Sequence, residues 1–188
     1  MFEKFFLGTT QNKDTVNRAL WRGEIRRIRR GLYTNDLVTP LPALVRQHIW
    51  EVVRLIAPGH VIGYRTALEL SPSPAGVIHL VGPTARRFEI HETKIWIHEG
   101  PGPLEGDQPY MEALYLASRA RAFLEALKPS RSGREFGNKG LSQEEIEERL
   151  DQRLRVRGEE DLNQLRDQAR SLKADLDAEA EFQHLDAT

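Results

Sequence analysis

The chain contains no cysteine in its 188 residues. That absence excludes disulfides, thiolate chemistry and zinc sites built on cysteine, and it is typical of a reducing compartment. Long apolar runs are missing too. The longest, residues 49–58, is interrupted by Glu51 and Arg54 and falls well short of the roughly 20 residues that span a bilayer. The N-terminus lacks the basic-then-apolar order of a secretory signal. We therefore expect a cytoplasmic protein without a membrane span.

Motifs for catalysis and cofactor binding are also missing. There is no Gly-x-Ser-x-Gly nucleophile elbow, no Walker loop and no Rossmann glycine pattern. His79, His91 and His98 fall in predicted strands, without a second ligand at the helical i, i+4 spacing. Residues 134–140 hold glycines and a lysine, but no strand precedes them, so they indicate a linker. The sequence predicts a non-enzymatic protein with no cofactor and no metal.

Charge is distributed unevenly. Residues 1–46 hold nine Lys or Arg against four Asp or Glu, whereas the remainder holds 18 against 24. The net charge of −1 therefore conceals a basic N-terminal part and an acidic remainder. Such asymmetry is an argument about partners, and it directs any polyanion to the N-terminal part.

The N-terminal segment, residues 1–38, predicts a reduced winged helix. Asp14 is placed to cap a short helix that Gly23 ends, and the charged turn from Arg29 to Gly31 joins two short strands. The apolar positions of the helix and of the two strands are Val16, Ala19, Leu20, Ile25, Ile28, Leu32 and Tyr33.

Residues 39–127 predict a small mixed α/β domain with antiparallel strands. Apolar residues at helical spacing indicate one helix from Leu41 to Ile56, ended by Pro58. A short strand and one or two helical turns are expected within residues 60–71. Short extended stretches at 77–81, 88–90 and 95–98 indicate a small antiparallel sheet, and apolar residues from Met111 to Leu127 indicate another helix.

The C-terminal part is expected to be a linker, residues 128–140, and an acidic helical tail, residues 141–188. Ser142 and Glu145 form a capping box, Arg149 is spaced to pair with Glu145, and Gly158 breaks the helix. One helical face carries Ile146, Leu150 and Leu154. A second stripe, ending before Glu179, calls for a partner helix; it comprises Leu162, Leu165, Ala169, Leu172 and Leu176. The predicted fold class is therefore α+β.

Six arginines within 13 positions form the densest chemical signal. On a helix followed by a hairpin they are expected to face one side and neutralise phosphates; they are Arg18, Arg22, Arg26, Arg27, Arg29 and Arg30. Amide and basic side chains on the helix match purine edges; these are Gln11, Asn12, Lys13 and Asn17. The alternative is that all of them are solvated surface residues, some paired with the acidic tail.

Residues 21–34, Trp-Arg-Gly-Glu-Ile-Arg-Arg-Ile-Arg-Arg-Gly-Leu-Tyr-Thr, resemble the wing of AbiEi-type antitoxins and related regulators. Residues 60–69 and 77–83 also look like the continuation found in that family, in which an Ala-Leu helix precedes a sheet. The resemblance covers about 125 residues. It implies a winged-helix DNA-binding regulator from a toxin-antitoxin system. Only about 24 residues precede the wing, fewer than the two supporting helices of a full helix-turn-helix need.

Other stretches resemble the N-terminal region of a group of Fic-family proteins. They are residues 100–107, 116–122, 128–131, 155–160 and 162–167. In that group an adenylyl-transferring Fic domain follows, whose His-x-Phe motif and Gly-Asn-Gly-Arg this sequence lacks. Any AMP transfer is therefore expected to lie outside this chain.

Two functions follow as hypotheses. The first is a non-catalytic, antitoxin-like transcriptional regulator that binds double-stranded DNA through its N-terminal arginines. The alternative is an interaction module that regulates a Fic adenylyltransferase without binding DNA. A Fic-domain or toxin partner is then expected to bind through Leu162, Leu165, Leu172 and Leu176.

Overall fold

The computed structural model describes residues 3–128 and 140–187 and has the expected α+β class. Contacts divide the chain into two compact units, one of Met1–Pro58 with Glu89–Thr93 and the other of Gly59–Phe88 with Lys94–Thr188. The domain boundaries predicted from the sequence, after residues 38, 127 and 140, differ from the boundary between these two units. The predicted linker, apart from its first and last residues, lies outside the described residues.

The first unit begins with a helix and a three-stranded antiparallel sheet. The elements are β1 (Phe5–Leu7), α1 (Lys13–Trp21), β2 (Arg26–Arg29) and β3 (Leu32–Thr34), and the strand order is β1-β3-β2. The predicted helix and hairpin are confirmed, and β1 is an addition. Asp14 does not cap the helix as predicted, because α1 begins at Lys13 and Asp14 lies in its first turn. Gly31, in the hairpin turn, has a φ of 83°, which glycine adopts without steric penalty.

Two helices, α2 (Leu41–Gln47) and α3 (Ile49–Ile56), replace the single helix that the apolar spacing predicts. The break falls at His48, whose φ of −119° and ψ of 32° are not helical. Its ring is held from two sides, because Nδ1 lies 2.7 Å from Glu51 Oε1 and Nε2 lies 2.7 Å from Lys4 Nζ. The contact with Glu51 is local and the contact with Lys4 is tertiary, and together they hold His48 at the break between α2 and α3.

A six-stranded sheet has the order β6-β7-β5-β4-β9-β8. Its strands are β4 (Val61–Ile62), β5 (Val77–Gly82), β6 (Arg86–Ile90), β7 (Thr93–Glu99), β8 (Gln108–Tyr110) and β9 (Leu114–Leu116). The prediction of an antiparallel sheet over β5 to β7 is wrong, because β7 lies beside β5 and runs parallel to it. All residues of β5, which pairs parallel with β7 and antiparallel with β4, are buried.

The predicted helix from Met111 to Leu127 is correct only in its second half. Met111 and Glu112 have φ values of 48° and 63° and form the turn of the β8–β9 hairpin. Helix α5 (Arg119–Leu127) starts after Ser118, whose hydroxyl accepts a hydrogen bond from the Arg121 amide at 3.2 Å. The strand-and-turn expected within residues 60–71 is confirmed as β4 and α4 (Tyr64–Glu69).

The C-terminal helices are α6 (Gln143–Arg157), α7 (Glu159–Leu172) and α8 (Glu179–Ala187). The capping box at Ser142 and the break at Gly158 are confirmed. The predicted pairing of Glu145 with Arg149 is replaced by bonds to α4, since Glu145 contacts Arg65 and Arg149 contacts Glu69. Glu179 does not end the helical pattern but begins α8.

The leucine stripe predicted to contact a partner is buried within the chain itself. Its members Leu162, Leu165, Leu172 and Leu176 are at most 8% exposed. They share a core cluster with residues of α5 and α8, among them Phe123 and Phe182. The partner helix that the stripe calls for is therefore supplied by the same chain, because α5, α7 and α8 pack together. Leu154, predicted on the face of Ile146 and Leu150, is 39% exposed.

Over the residues described, no helix combines the length and the apolar character that crossing a bilayer would require.

Candidate nucleic-acid interface

The N-terminal sheet sends the arginines of β2 to opposite faces. Successive side chains of a strand alternate between faces, so Arg26, opposite Thr34, and Arg27, opposite Tyr33, diverge. The register shifts between Arg27 and Arg29, so that Arg29 pairs with Leu32. Arg29 is therefore on the same face of the sheet as Arg26. The expectation that all six arginines share one side is therefore wrong.

Arg26 is bound by its own chain. Its Nε donates to the Asp36 carbonyl at 2.7 Å and its guanidinium donates to the Thr39 carbonyl at 2.6 Å, while the Asp36 carboxylate lies 3.5 Å away. Hydrogen bonds from Thr39 and Val38 hold the pKa of Asp36 below its usual range, which keeps the carboxylate charged. These contacts fix the chain after β3, and they give Arg26 a structural role.

Arg27 lies on the face of the sheet that α1 covers. Its guanidinium lies 5.9 Å from the centre of the Tyr33 ring, and Tyr33 also stacks on Phe6 of β1. Tyr33 belongs to the cluster in which Val16 and Ala19 of α1 are buried. Helix and hairpin therefore form one packed body, with exposed Arg27 at its margin.

The outer side of α1 carries two parallel rows of side chains. Residues four apart on a helix are neighbours, so Lys13, Asn17 and Trp21 form one row, beside a second row that ends in Arg18 and Arg22. All five are exposed. Trp21 is 92% exposed and was not among the predicted site residues, although its place on the helix face opposite Val16 was readable from the spacing.

The remaining predicted residues differ in their contacts and in their exposure. Asn12 is used by the fold, since its Oδ1 accepts from the Thr9 amide at 2.7 Å and its Nδ2 donates to the Leu7 carbonyl at 3.1 Å. Gln11 is exposed before α1, and Arg30 is exposed at the hairpin turn, whereas Arg29 is half-buried.

Acidic side chains offset little of this positive charge. Arg22 faces Glu24 at 3.8 Å, and both side chains are more than half exposed. Exposed pairs of this kind contribute about 0–1 kcal/mol and are easily exchanged for another anion. Arg18 uses its Nε for the Asp14 carbonyl, within its own helix, at 3.3 Å. The exposed arginines of the helix and hairpin are Arg18, Arg22, Arg27 and Arg30, here called the basic surface, and they outnumber Asp14 and Glu24, the exposed carboxylates of residues 13–30.

Two of the three histidines predicted in strands meet in the second unit, whereas His91 lies in the turn after β6. The parallel pairing of β5 and β7 brings His79 Nδ1 to 3.0 Å from His98 Nε2, and the Tyr64 ring lies 4.5 Å from that of His98. Within residues 3–128 and 140–187, no three His, Asp or Glu side chains are placed to hold a metal ion. Burial, with the charge of Glu125, raises the pKa of Tyr64, so its phenol stays neutral.

A buried ionic network lies in the second unit, and sequence reasoning missed it. Arg121, fully buried, donates to Glu125 at 2.8 Å, to Asp107 at 2.6 Å and to the carbonyls of Pro101 and Gly102 at 2.9 and 2.8 Å. Burial opposes its charge, but Glu125 and Asp107 outweigh that effect and raise the pKa of Arg121. The i, i+4 spacing of Arg121 and Glu125 was the available signal. The network fixes the loop before β8 and is structural.

Comparison of the chain with protein-family models, with curated proteins and with solved structures gave no match.

Proposed function

We propose that the chain is a DNA-binding, antitoxin-like transcriptional regulator that acts in the cytoplasm and catalyses no reaction itself. In this proposal the basic surface contacts the phosphate backbone of duplex DNA. The observation that supports it most is the exposure of Arg18, Arg22, Arg27 and Arg30 on one small helix-and-hairpin body. Guanidinium groups recognise phosphate bidentately, and their charge releases counterions from DNA.

The dimensions of α1 suit the proposal. An α-helix with its side chains is about 10–12 Å in diameter, which matches the width of the major groove of B-DNA, about 12 Å. The nine residues of α1 extend about 14 Å at 1.5 Å per residue. With α1 in the groove, Lys13 and Asn17 face base edges, where an asparagine can bond adenine bidentately. Arg18 and Arg22 then lie near one phosphate strand, and Arg30 at the hairpin turn contacts phosphates beside the groove.

Charge reversal on the basic surface tests the proposal. Arg27→Glu/Arg30→Glu should weaken binding to duplex DNA about a hundredfold or more, because two charged hydrogen bonds of about 1.5 kcal/mol or more each are lost. Arg155→Glu is the control for charge reversal away from the basic surface, since Arg155 is exposed on α6 in the other unit and undergoes the change that each of the two arginines undergoes. Fluorescence anisotropy with labelled duplex measures both affinities.

Stability separates a binding role from a structural one. The double variant should lose less than about 1 kcal/mol of unfolding free energy, because exposed charges contribute little and a cation–π contact such as that of Arg27 with Tyr33 adds about 0.5–1 kcal/mol. Equal DNA affinity in the Arg27→Glu/Arg30→Glu variant and in the Arg155→Glu control would refute the proposal. So would a collapse of the double variant's melting temperature.

A further inference from the structure

Four arginine side chains line one cavity of the second unit. The cavity has a volume of about 240 Å³ and lies beside the start of α5 and the second half of α6. Its wall includes Arg119, Arg149, Arg153 and Arg157, with Leu68 and Phe123 as apolar neighbours. Such a concentration of cations around one small space is the first sign of an anion site.

Carboxylates balance only part of this charge. Arg149 donates to Glu69 at 2.6 Å, but Glu69 is shared with Arg65 at 2.9 Å. Arg153 forms an ion pair with Asp161. Among the described residues, Arg119 and Arg157 have no carboxylate within ion-pairing distance. Two guanidinium groups at this cavity are therefore left without a counter-ion from that part of the chain.

The neighbouring positive charges act against the charge of Arg119. Burial, together with the charges of Arg153, Arg157 and Arg149, lowers the pKa of Arg119, and Asp161 compensates only partly. The buried Arg121, in contrast, has its charge balanced by two carboxylates. Residues that oppose one another in the folded state are typical of sites retained for binding rather than for stability.

A second cavity shares Arg119 and Arg153 with the first. Its volume is about 330 Å³, and its wall is polar, with the amide side chains of Gln108, Gln164 and Gln168. Amides donate and accept hydrogen bonds and suit the hydroxyls or ring edges of a sugar or a base. The two cavities together present cations to one end of a ligand and amides to the other, and Asp161 on the wall of the second cavity is paired with Arg153.

We propose that this site, the arginine cavity with its polar neighbour, binds a phosphate-bearing small molecule. The phosphate lies between Arg119 and Arg157, where the guanidinium groups bond it bidentately. The remainder of the molecule extends past Arg153 toward the glutamine amides. A nucleotide or sugar phosphate and an inorganic phosphate share this chemistry, and the experiment separates the sources.

Calorimetric titration of the full chain with ATP, AMP, pyrophosphate and adenosine tests the site. ATP should bind and adenosine should not, because adenosine lacks the phosphate. Arg119→Gln/Arg157→Gln should weaken ATP binding about a hundredfold or more, the effect of losing two charged hydrogen bonds of about 1.5 kcal/mol or more each. Arg155→Gln, on the same helix as Arg157 but outside both cavities, should leave the affinity unchanged. Arg27→Glu/Arg30→Glu should also leave it unchanged, which separates this site from the basic surface.

The remaining outcomes are equally definite. Pyrophosphate binding as tightly as ATP would support the site and identify its ligand as inorganic. The Arg119→Gln/Arg157→Gln variant should melt at the same temperature as the wild type or higher, because a repulsive contact is relieved. Absence of binding by every phosphate tested, unaltered affinity in that variant, or a melting temperature several degrees lower would overturn the proposal.

Discussion

Replacing Arg121 by methionine is expected to remove much of the stability of the second unit. The side chains of Arg121 and Asp107 are fully buried, and that of Glu125 is 4% exposed. Arg121→Met leaves both carboxylates buried without their cation. Breaking a buried ion pair from one side costs about 3–5 kcal/mol, and a whole domain is typically stable by about 5–15 kcal/mol. The variant should therefore lose between about a fifth of the unit's stability and nearly all of it.

Urea unfolding followed by far-ultraviolet circular dichroism measures this loss. The midpoint should fall while the slope stays constant, and the melting temperature should drop on the order of 10 °C. Hydrogen exchange adds a local readout, because the amides of Leu104 and Ser118 donate to Asp107 at 2.9 and 2.7 Å and should lose protection. Arg155→Met is the control for loss of an exposed arginine, with an expected change within about 0.5 kcal/mol. A loss below about 1 kcal/mol in Arg121→Met would refute the reasoning.

Three further predictions concern the fold. Leu165→Ala should lower the free energy of unfolding, measured with urea, by about 2–5 kcal/mol. Leu154→Ala, at a 39% exposed position, should lower it by less than about 1 kcal/mol. Equal losses in the two variants would contradict the packing of α7. Glu145→Gln should lower the free energy of unfolding by about 1 kcal/mol relative to the wild type at neutral pH. Because the Ser142 amide and Arg65 lower the pKa of Glu145 below 4.5, that difference should disappear as the pH falls below this value. Gly63→Ala should lower the free energy of unfolding by about 1–3 kcal/mol, since the added Cβ would lie 2.5 Å from Glu125 Oε2. A melting temperature equal to that of the wild type would contradict this close contact.

Local patterns were enough to predict several elements. The capping box at Ser142, the glycine break at Gly158 and the α1–hairpin order all depend on interactions between near neighbours in sequence. The apolar residues of 111–127 were misleading, because the same residues suit a strand or a helix and Ser118 decides where the helix starts. The parallel pairing of β5 with β7 depends on contacts between distant residues, which periodicity does not reveal.

The sequence predicted which arginines the candidate DNA-binding site contains, but not how the fold arranges them. The cluster of arginines is visible in the sequence, yet the register of β2 against β3 decides which of them share a face. A one-residue shift after Arg27 moves Arg29 to the face of Arg26, and Asp36 and Thr39 bind Arg26 there. The cavity arginines were beyond reach, because Arg119 and Arg157 lie on different helices and meet only after folding.

The salt dependence of DNA binding tests the central claim most directly. With Arg18, Arg22, Arg27 and Arg30 on phosphates, the logarithm of the affinity should fall with the logarithm of salt concentration with a slope of roughly −3.6, from about −0.9 for each phosphate contact. Between about 50 and about 200 mM salt the affinity should therefore fall roughly 150-fold. A slope near zero over that range would contradict the account.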